Sequence, residues 1–235
     1  MQDAEHGIVI NELFGPTFQG EGPSIGRYAR FIRLFGCHLS CTWCDSAQTH
    51  DGDRYNLTAE QRIVEIEHIV GWLASEEPGV VVVTGGEPLL QQRSVERLVR
   101  GIRDRQAATE IELETSGTIA PSTGIITAVS RFNVSPKLAH SGLRRHRRIR
   151  PTAIESLSAS GKAVWKFVAA SVDDLDEIDE LATAYELAPI WVMPEGTDSE
   201  TVLARMRQLS EPVLARGWNL STRLHILLWE NTRAR

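Results

Sequence analysis

The 235-residue chain has three cysteines, and all of them fall within eight positions, at Cys37, Cys41 and Cys44. A CxxxCxxC triplet has metal-ligand spacing, and such clustering sets it apart from the scattered buried thiols of an ordinary core. A [4Fe–4S] cluster is normally held by four thiolates. Three leave one iron without a protein ligand, open to a small molecule. A structural zinc site is the alternative. Zinc takes four ligands, usually in two pairs, so His38, His50 or Asp45 would have to be the fourth, and no second CxxC or HxxxH completes the set. The cluster is the expected occupant.

Other polar groups recur at the ends of short apolar runs. Candidate strands are Ile8–Leu13, Ala29–Leu34, Val80–Thr84, Glu110–Glu114, Arg131–Val134, Ala163–Val168, Ile190–Met193 and His225–Leu228. Candidate helices are Thr58–Ser75, opened by a capping box of Thr58 and Gln61, Leu89–Arg105, Val172–Leu187 and Ser199–Arg216. This alternation predicts parallel βα units. The cysteine loop, Thr84–Pro88, Glu114–Gly117, Ser135–Lys137 and Met193–Gly196 each follow a candidate strand. In parallel α/β architectures ligands bind at that edge.

The residues in these turns suggest specific contacts. Gly85 and Gly86 let backbone approach a ligand beside the Glu87 carboxylate. Glu114 and Ser116 suit ribose hydroxyls, whereas Glu112 is expected on the polar face of an alternating strand. Ser135-Pro136-Lys137 sets a rigid turn beside a cation, with a solvated lysine as the alternative. Upstream, Phe18-Gln19-Gly20-Glu21-Gly22-Pro23 offers an amide and a carboxylate able to read a pterin or guanine-like ring. A plain Gly/Pro turn is the alternative there. Arg27, Arg30 and Arg33 need partners in a buried strand, and Arg33, nearest the cysteines, is the candidate two-bond clamp for a carboxylate.

A net charge of −6 argues against a general nucleic-acid binder. The apolar stretches fall far short of the roughly 20 residues that span a bilayer. The polar start Met1–His6 and the odd cysteine count predict a cytoplasmic protein in a reducing compartment. The length fits one domain, residues 1–235.

The triplet and the Gly85–Pro88 turn together resemble the radical S-adenosylmethionine (SAM) enzymes, in which SAM occupies the open iron. With Phe18–Gly22, Phe31-Ile32-Arg33-Leu34, Asp45-Ser46, Ser135-Pro136-Lys137 and Arg223–Trp229 added, the chain resembles the 7-carboxy-7-deazaguanine synthase family from about residue 10 to its C-terminus. The resemblance implies an α/β fold, a partial, modified (β/α)6-type radical SAM barrel with extra N-terminal structure. It implies a lyase that converts 6-carboxy-5,6,7,8-tetrahydropterin to 7-carboxy-7-deazaguanine by radical ring contraction with loss of ammonia, a step in queuosine-type 7-deazapurine biosynthesis. The reduced cluster would cleave SAM, and the 5′-deoxyadenosyl radical would take hydrogen from C6 of the pterin and later return it. The implied cofactors are a [4Fe–4S] cluster, SAM and Mg2+. The implied partners are a flavodoxin- or ferredoxin-type electron donor and a second copy in a homodimer.

Carried over residue by residue, the resemblance assigns the cluster to Cys37, Cys41 and Cys44. It assigns SAM to Trp43, Asp45, Gly86, Glu87, Glu114, Ser116, Ser135, Pro136, Lys137, Met193, Pro194, Glu195 and Gly196. Substrate falls to Phe18, Gln19, Gly20, Glu21, Arg33, Thr84 and His225, and Mg2+ to Ser46. The family usually has threonine at that last position, and serine lacks the methyl that restricts its rotamer. His38 stands where asparagine is common, as a loop residue and not a ligand. His225 is open to a second reading, a buried hydrogen-bonded histidine. The tail Glu230–Arg235 departs from the family's glycine-containing ending.

Five arginines between Leu143 and Arg150 form the one strongly basic run. A solvated face is the ordinary meaning of such a run, and docking of an acidic electron donor is the sharper one. Two other classes compete with the synthase. A glycyl-radical activating enzyme would share the cysteines and Gly85–Pro88 but has no use for Phe18–Gly22. A non-catalytic iron–sulfur or zinc protein would leave the strand-end motifs unexplained.

Overall fold

The computed structural model of the chain describes residues 7–75 and 79–234. Its strands are β1 (Gly7–Phe18), β2 (Tyr28–Leu34), β3 (Arg62–Glu65), β4 (Val80–Gly85), β5 (Glu110–Thr115), β6 (Arg131–Val134), β7 (Ala163–Ala169), β8 (Ile190–Pro194) and β9 (Asn219–Leu220). They form one sheet in the order β3-β1-β2-β4-β5-β6-β7-β8-β9. From β2 to β9 neighbouring strands run parallel. β1 is antiparallel to both β2 and β3. Six full parallel strands, with the added antiparallel strands β1 and β3, are the expected partial barrel. It does not close on itself, since β3 and β9 remain edges.

The helices are α1 (Ile66–Ala74), α2 (Gln92–Arg105), α3 (Thr123–Ala128), α4 (Arg145–Arg148), α5 (Pro151–Ala159), α6 (Asp174–Tyr185), α7 (Ser199–Ala215) and α8 (Leu224–Trp229). Period-two alternation decides what each strand gives to which face. Ile32, Leu34, Val81, Val83, Ile111, Leu113, Phe132, Trp165 and Phe167 pack with Leu98, Ile102, Ile178 and Leu209 of the helices in one apolar core. Each such buried side chain contributes roughly 1.5–3 kcal/mol relative to exposure. The other face carries Arg33, Thr84, Glu112, Glu114, Asn133 and Lys166. Most of these are buried too, so their hydrogen bonds must be found inside the sheet.

Two expected elements take other forms. Thr58–Ser75 is not one helix. Thr58 sits in a turn, its N–H donating to Asn56 Oδ1 at 3.2 Å, and Arg62–Glu65 is the edge strand β3 on β1. Ile63-Val64 is a β-branched pair suited to a strand, and helix begins only at Ile66. His225–Leu228 is not a strand but lies in α8. Six residues are too few for apolar spacing to separate period 2 from 3.6, and β9 already holds the sheet edge. α3, α4, α5 and β9 lie outside the expected elements. α5 starts with Pro at its first turn and is rich in small residues, so its apolar stripe is weak.

Candidate active site

One cavity of about 340 Å3 opens on the concave face. The three thiols stand at one end of it. Leu39 N–H donates to Cys37 Sγ at 3.4 Å, and Cys44 Sγ lies 3.7 Å from Ser46 Oγ. The strand-end turn of β4 comes in directly behind this loop. A Cβ added at Gly86 would lie 2.3 Å from Gly36 O and 2.8 Å from Cys37 Cβ, so only glycine lets the two backbones meet. Burial pushes the Cys37 thiol up to about 12 and also raises Cys41 and Cys44. The thiols hold their protons until iron displaces them.

Among the described residues, no three His, Cys, Asp or Glu side chains converge closely enough to hold a single metal ion. The three cysteines line one cavity together, with no single-ion set among them. That arrangement suits thiolates on separate irons better than ligands on one zinc, so the residues present fit a cluster.

The segment after β1 forms another part of the lining, its floor. Gln19 Nε2 donates to Glu112 Oε2 at 3.4 Å and to Glu114 Oε1 at 3.3 Å. Thr84 Oγ1 donates to Glu114 Oε2 at 2.8 Å. Glu21 is ion-paired to Lys166 and accepts from Arg223 Nε at 3.3 Å, while Arg223 also pairs with Asp45. Burial opposes the ionised form of Glu21, but Lys166, Arg223 and His225 outweigh it and hold the carboxyl well below its usual range. Burial likewise works against the Lys166 ammonium, and Glu21 and Glu114 overcome it and raise its pKa.

Glu112 lies on the polar face of β5, as expected, and is fully buried there. Its carboxylate accepts from Arg131 at 2.6 Å, from Asn133 Nδ2 at 2.9 Å, and from Ser24 and Gln19. With Nδ2 of Asn133 committed in this way, its Oδ1 is left buried without a partner, and Asn133 lines the cavity.

The chain closes the open side of the sheet with the same segment. Gly22 N–H donates to Ser221 Oγ at 2.8 Å, and Leu224 N–H to Gly20 O at 2.8 Å. A Cβ at Gly20 would lie 2.1 Å from His225 Nδ1, so His225 packs where no other residue at position 20 permits it. Burial lowers the His225 pKa. Phe18 stacks on Trp229, centroids 6.2 Å apart. Arg33 lines the cavity with its guanidinium over Phe14 and its Nε 3.3 Å from Glu12 Oε2. The C-terminal segment also reaches the cavity, and Arg233 is tied to Glu12 and Glu60.

The cavity thus gathers Phe18, Gln19, Gly20, Glu21, Arg33, Thr84 and His225 with Trp43, Asp45, Ser46, Gly86, Glu114, Ser116, Ser135, Lys137 and Met193. Lys137 reaches over Trp43, 5.5 Å from the ring centroid, and donates to Ser135 Oγ at 3.0 Å. Glu87, Pro136, Pro194, Glu195 and Gly196 do not line it. Glu87 is an expected SAM contact. It is buried and already accepts from Leu89 N–H (3.1 Å), Thr115 Oγ1 (2.8 Å) and Ser116 N–H and Oγ (2.8 and 2.6 Å). It ties the end of β4 to the end of β5. Glu195 is paired with Arg205, and the Gly196 carbonyl accepts from Arg223 at 2.5 Å.

Lys166 and Asn133 were missed as cavity residues. Lys166 left a signal, a lone lysine in the apolar run Val164–Val168. Asn133, between Phe132 and Val134, left the same kind of signal.

The model of the Radical SAM superfamily matches residues 31–152. A 7-carboxy-7-deazaguanine synthase of Pyrobaculum aerophilum is 34% identical over 231 residues, 97% of each chain. That of Bacillus subtilis is 28% identical, with 97% of this chain and 98% of its own covered. The crystal structure of QueE from Escherichia coli superposes with a TM-score of 0.69 at 27% identity, over 93% of this chain and 95% of that one. Streptococcus suis SuiB shares the fold, with a TM-score of 0.59 at 14% identity over 84% of this chain and 49% of its own.

Proposed function

The chain belongs to the 7-carboxy-7-deazaguanine synthase family of radical SAM enzymes, and we propose that it converts 6-carboxy-5,6,7,8-tetrahydropterin to 7-carboxy-7-deazaguanine with loss of ammonia. The observation that supports this most is the floor, where Gln19 and an ionised Glu21 share one cavity with three thiols that fit a cluster. An activating enzyme for a glycyl-radical partner is not favoured, because relatives matched over nearly their whole length carry the synthase name.

When bound, the cluster and SAM supply a one-electron reduction that yields a 5′-deoxyadenosyl radical. Cys37, Cys41 and Cys44 would hold the cluster. Trp43, Asp45, Gly86, Glu114, Ser116, Ser135, Lys137 and Met193 would surround SAM, with Glu87 fixing the backbone from which Gly86 and Ser116 act. Glu21, kept ionised by Lys166 and Arg223, accepts N–H donors from the heterocycle. Gln19 has its Nε2 committed to Glu112 and Glu114, which leaves its Oε1 to the Glu21 N–H at 3.3 Å and to a ligand donor. Asn133 Oδ1 adds a free acceptor. Arg33, already steadied by Glu12 and Phe14, presents a guanidinium to the substrate carboxylate. His225 closes the floor over Gly20. Ser46 would give one oxygen to Mg2+, an ion that takes few ligands from protein.

In this proposal residues 1–235 form one core domain, two copies associate, and the protein works in the cytoplasm. Among the described residues no helix is long and apolar enough to cross a membrane. The deciding experiment is anaerobic turnover of reconstituted protein with SAM, Mg2+, dithionite and the tetrahydropterin, read by mass spectrometry. Catalytic 7-carboxy-7-deazaguanine is expected. 5′-Deoxyadenosine without it would keep the radical chemistry and reject the substrate. Neither product from cluster-loaded protein would reject both.

A further inference from the structure

An electron must reach the cluster from outside, and the cavity side of the cysteine loop is the side that faces SAM and substrate. The outer side of the loop is exposed at Ser40 and Thr42. Residues 138–148 pack directly on it. Thr42 N–H donates to Ser141 O at 3.1 Å, Arg147 Nη2 donates to His38 O at 2.9 Å, and the Trp43 and His140 rings lie 5.3 Å apart. This packing brings the basic run of the sequence to the rim of the loop.

The run does not act as a unit. Arg148 is buried, donating to Glu177 Oε1 and Lys137 O, and is structural. Arg144, Arg145, His146, Arg147 and Arg150 are exposed. Arg145 is held loosely, 3.8 Å from Glu177 and 4.0 Å from Glu180, and among the described residues no carboxylate lies within ion-pair distance of Arg144, Arg147 or Arg150. On a chain of net charge −6 this is a concentrated positive patch with counter-charge only beside Arg145. Such patches steer oppositely charged partners and raise their association rates, an effect that salt weakens.

We infer that Arg144, Arg145, Arg147 and Arg150 form the docking face for an acidic protein that carries a low-potential one-electron group, seated over Ser40–Thr42. The inference rests on the cluster assignment above but not on the pterin. One electron passes from the reduced carrier to the oxidised cluster, and the carrier leaves oxidised by one electron.

The test uses reconstituted protein and flavodoxin hydroquinone as the probe, with cluster bleaching followed by stopped flow. The wild-type rate should fall as ionic strength rises. An Arg144→Glu/Arg145→Glu/Arg150→Glu variant spares Arg148, which is structural, and Arg147, which besides facing the partner is bonded to the cysteine loop at His38 O. It should lose about tenfold or more in second-order rate constant while dithionite reduces its cluster at the wild-type rate. The matching triple glutamine variant, which adds no repulsion toward Glu177 and Glu180, should show a smaller loss in the same direction. Unchanged flavodoxin rates in both variants, or equal slowing with both reductants, would overturn the inference. The readout needs no pterin, so a failed deazaguanine assay and a failed docking test remain separate results.

Discussion

At the rim of the cavity Cys37, Cys41 and Cys44 present thiols whose few hydrogen bonds are long. At its floor Glu21, Lys166, Arg223, Glu112 and Glu114 are each matched by a protein partner. The rim is built to be completed by something else, whereas the charges of the floor are already paired within the protein. Removing a floor charge therefore damages the protein, whereas removing a rim thiol damages only what the protein can hold.

The sharpest break in this contrast is Cys41→Ala. It should abolish the cluster and cut turnover by more than about 10³-fold, equivalent to about 4 kcal/mol of barrier, while the melting temperature of the metal-free protein scarcely moves. Lys166→Met should do the reverse. Breaking a buried ion pair costs about 3–5 kcal/mol, and the lower end applies because Arg223 still faces Glu21. Denaturant unfolding would measure it, and adding Glu21→Gln should recover part of the loss. A Lys166→Met protein as stable as wild type would refute the picture of a self-satisfied floor.

A subtler break is Gly20→Ala. The new methyl displaces His225, so turnover should drop by about tenfold with cluster content intact, seen by iron analysis beside product formation. Acidification offers a fourth check. Burial holds His225, His38 and His50 below the ordinary histidine pKa of 6.5. Their unfolded forms take up protons first, so stability is full above about pH 6.5 and falls below it. Glu21, with a depressed native pKa, contributes stability that is present above about pH 4.5 and lost as pH falls further. Unfolding titrations should show two descending stages, and His225→Gln should shrink the first more than the second, which it touches only through the weaker attraction of His225 for Glu21. The smallest effect is Ser46→Thr, which restores a rotamer-limiting methyl and should lower the Mg2+ concentration for half-maximal rate about two- to threefold.

The rim was legible in the sequence because its residues are contiguous. Cys37–Ser46, Gly85–Glu87 and Ser135–Lys137 each occupy one turn, and turns at strand ends share an edge by topology. The floor was half legible. Gln19 and Glu21 stand in one run, but Lys166, Asn133 and Arg131 come from strands whose alternation shows that a side chain is buried without saying what it meets. Glu87 was legible only in part, since a carboxylate in a ligand-like turn is equally suited to hold two strand ends together, as its bonds to Thr115 and Ser116 do. The helix at Leu224–Trp229 was hidden by its shortness, and β3 by the apolar helix that continues from it.

The seam between Gly20–Gly22 and Ser221–His225 joins parts of the chain 199 residues apart at Gly22 and Ser221. Contacts of such sequence separation form late, because the loop they close is long. On a ribosome, the cysteine loop and the first parallel strands emerge well before Ser221. A nascent or prematurely ended chain can thus possess every thiol and still have no finished floor beneath them. Competence to shape the substrate end of the cavity therefore waits on Ser221–His225, which follow every strand of the sheet in the chain, so the seam closes only once the whole sheet has been made.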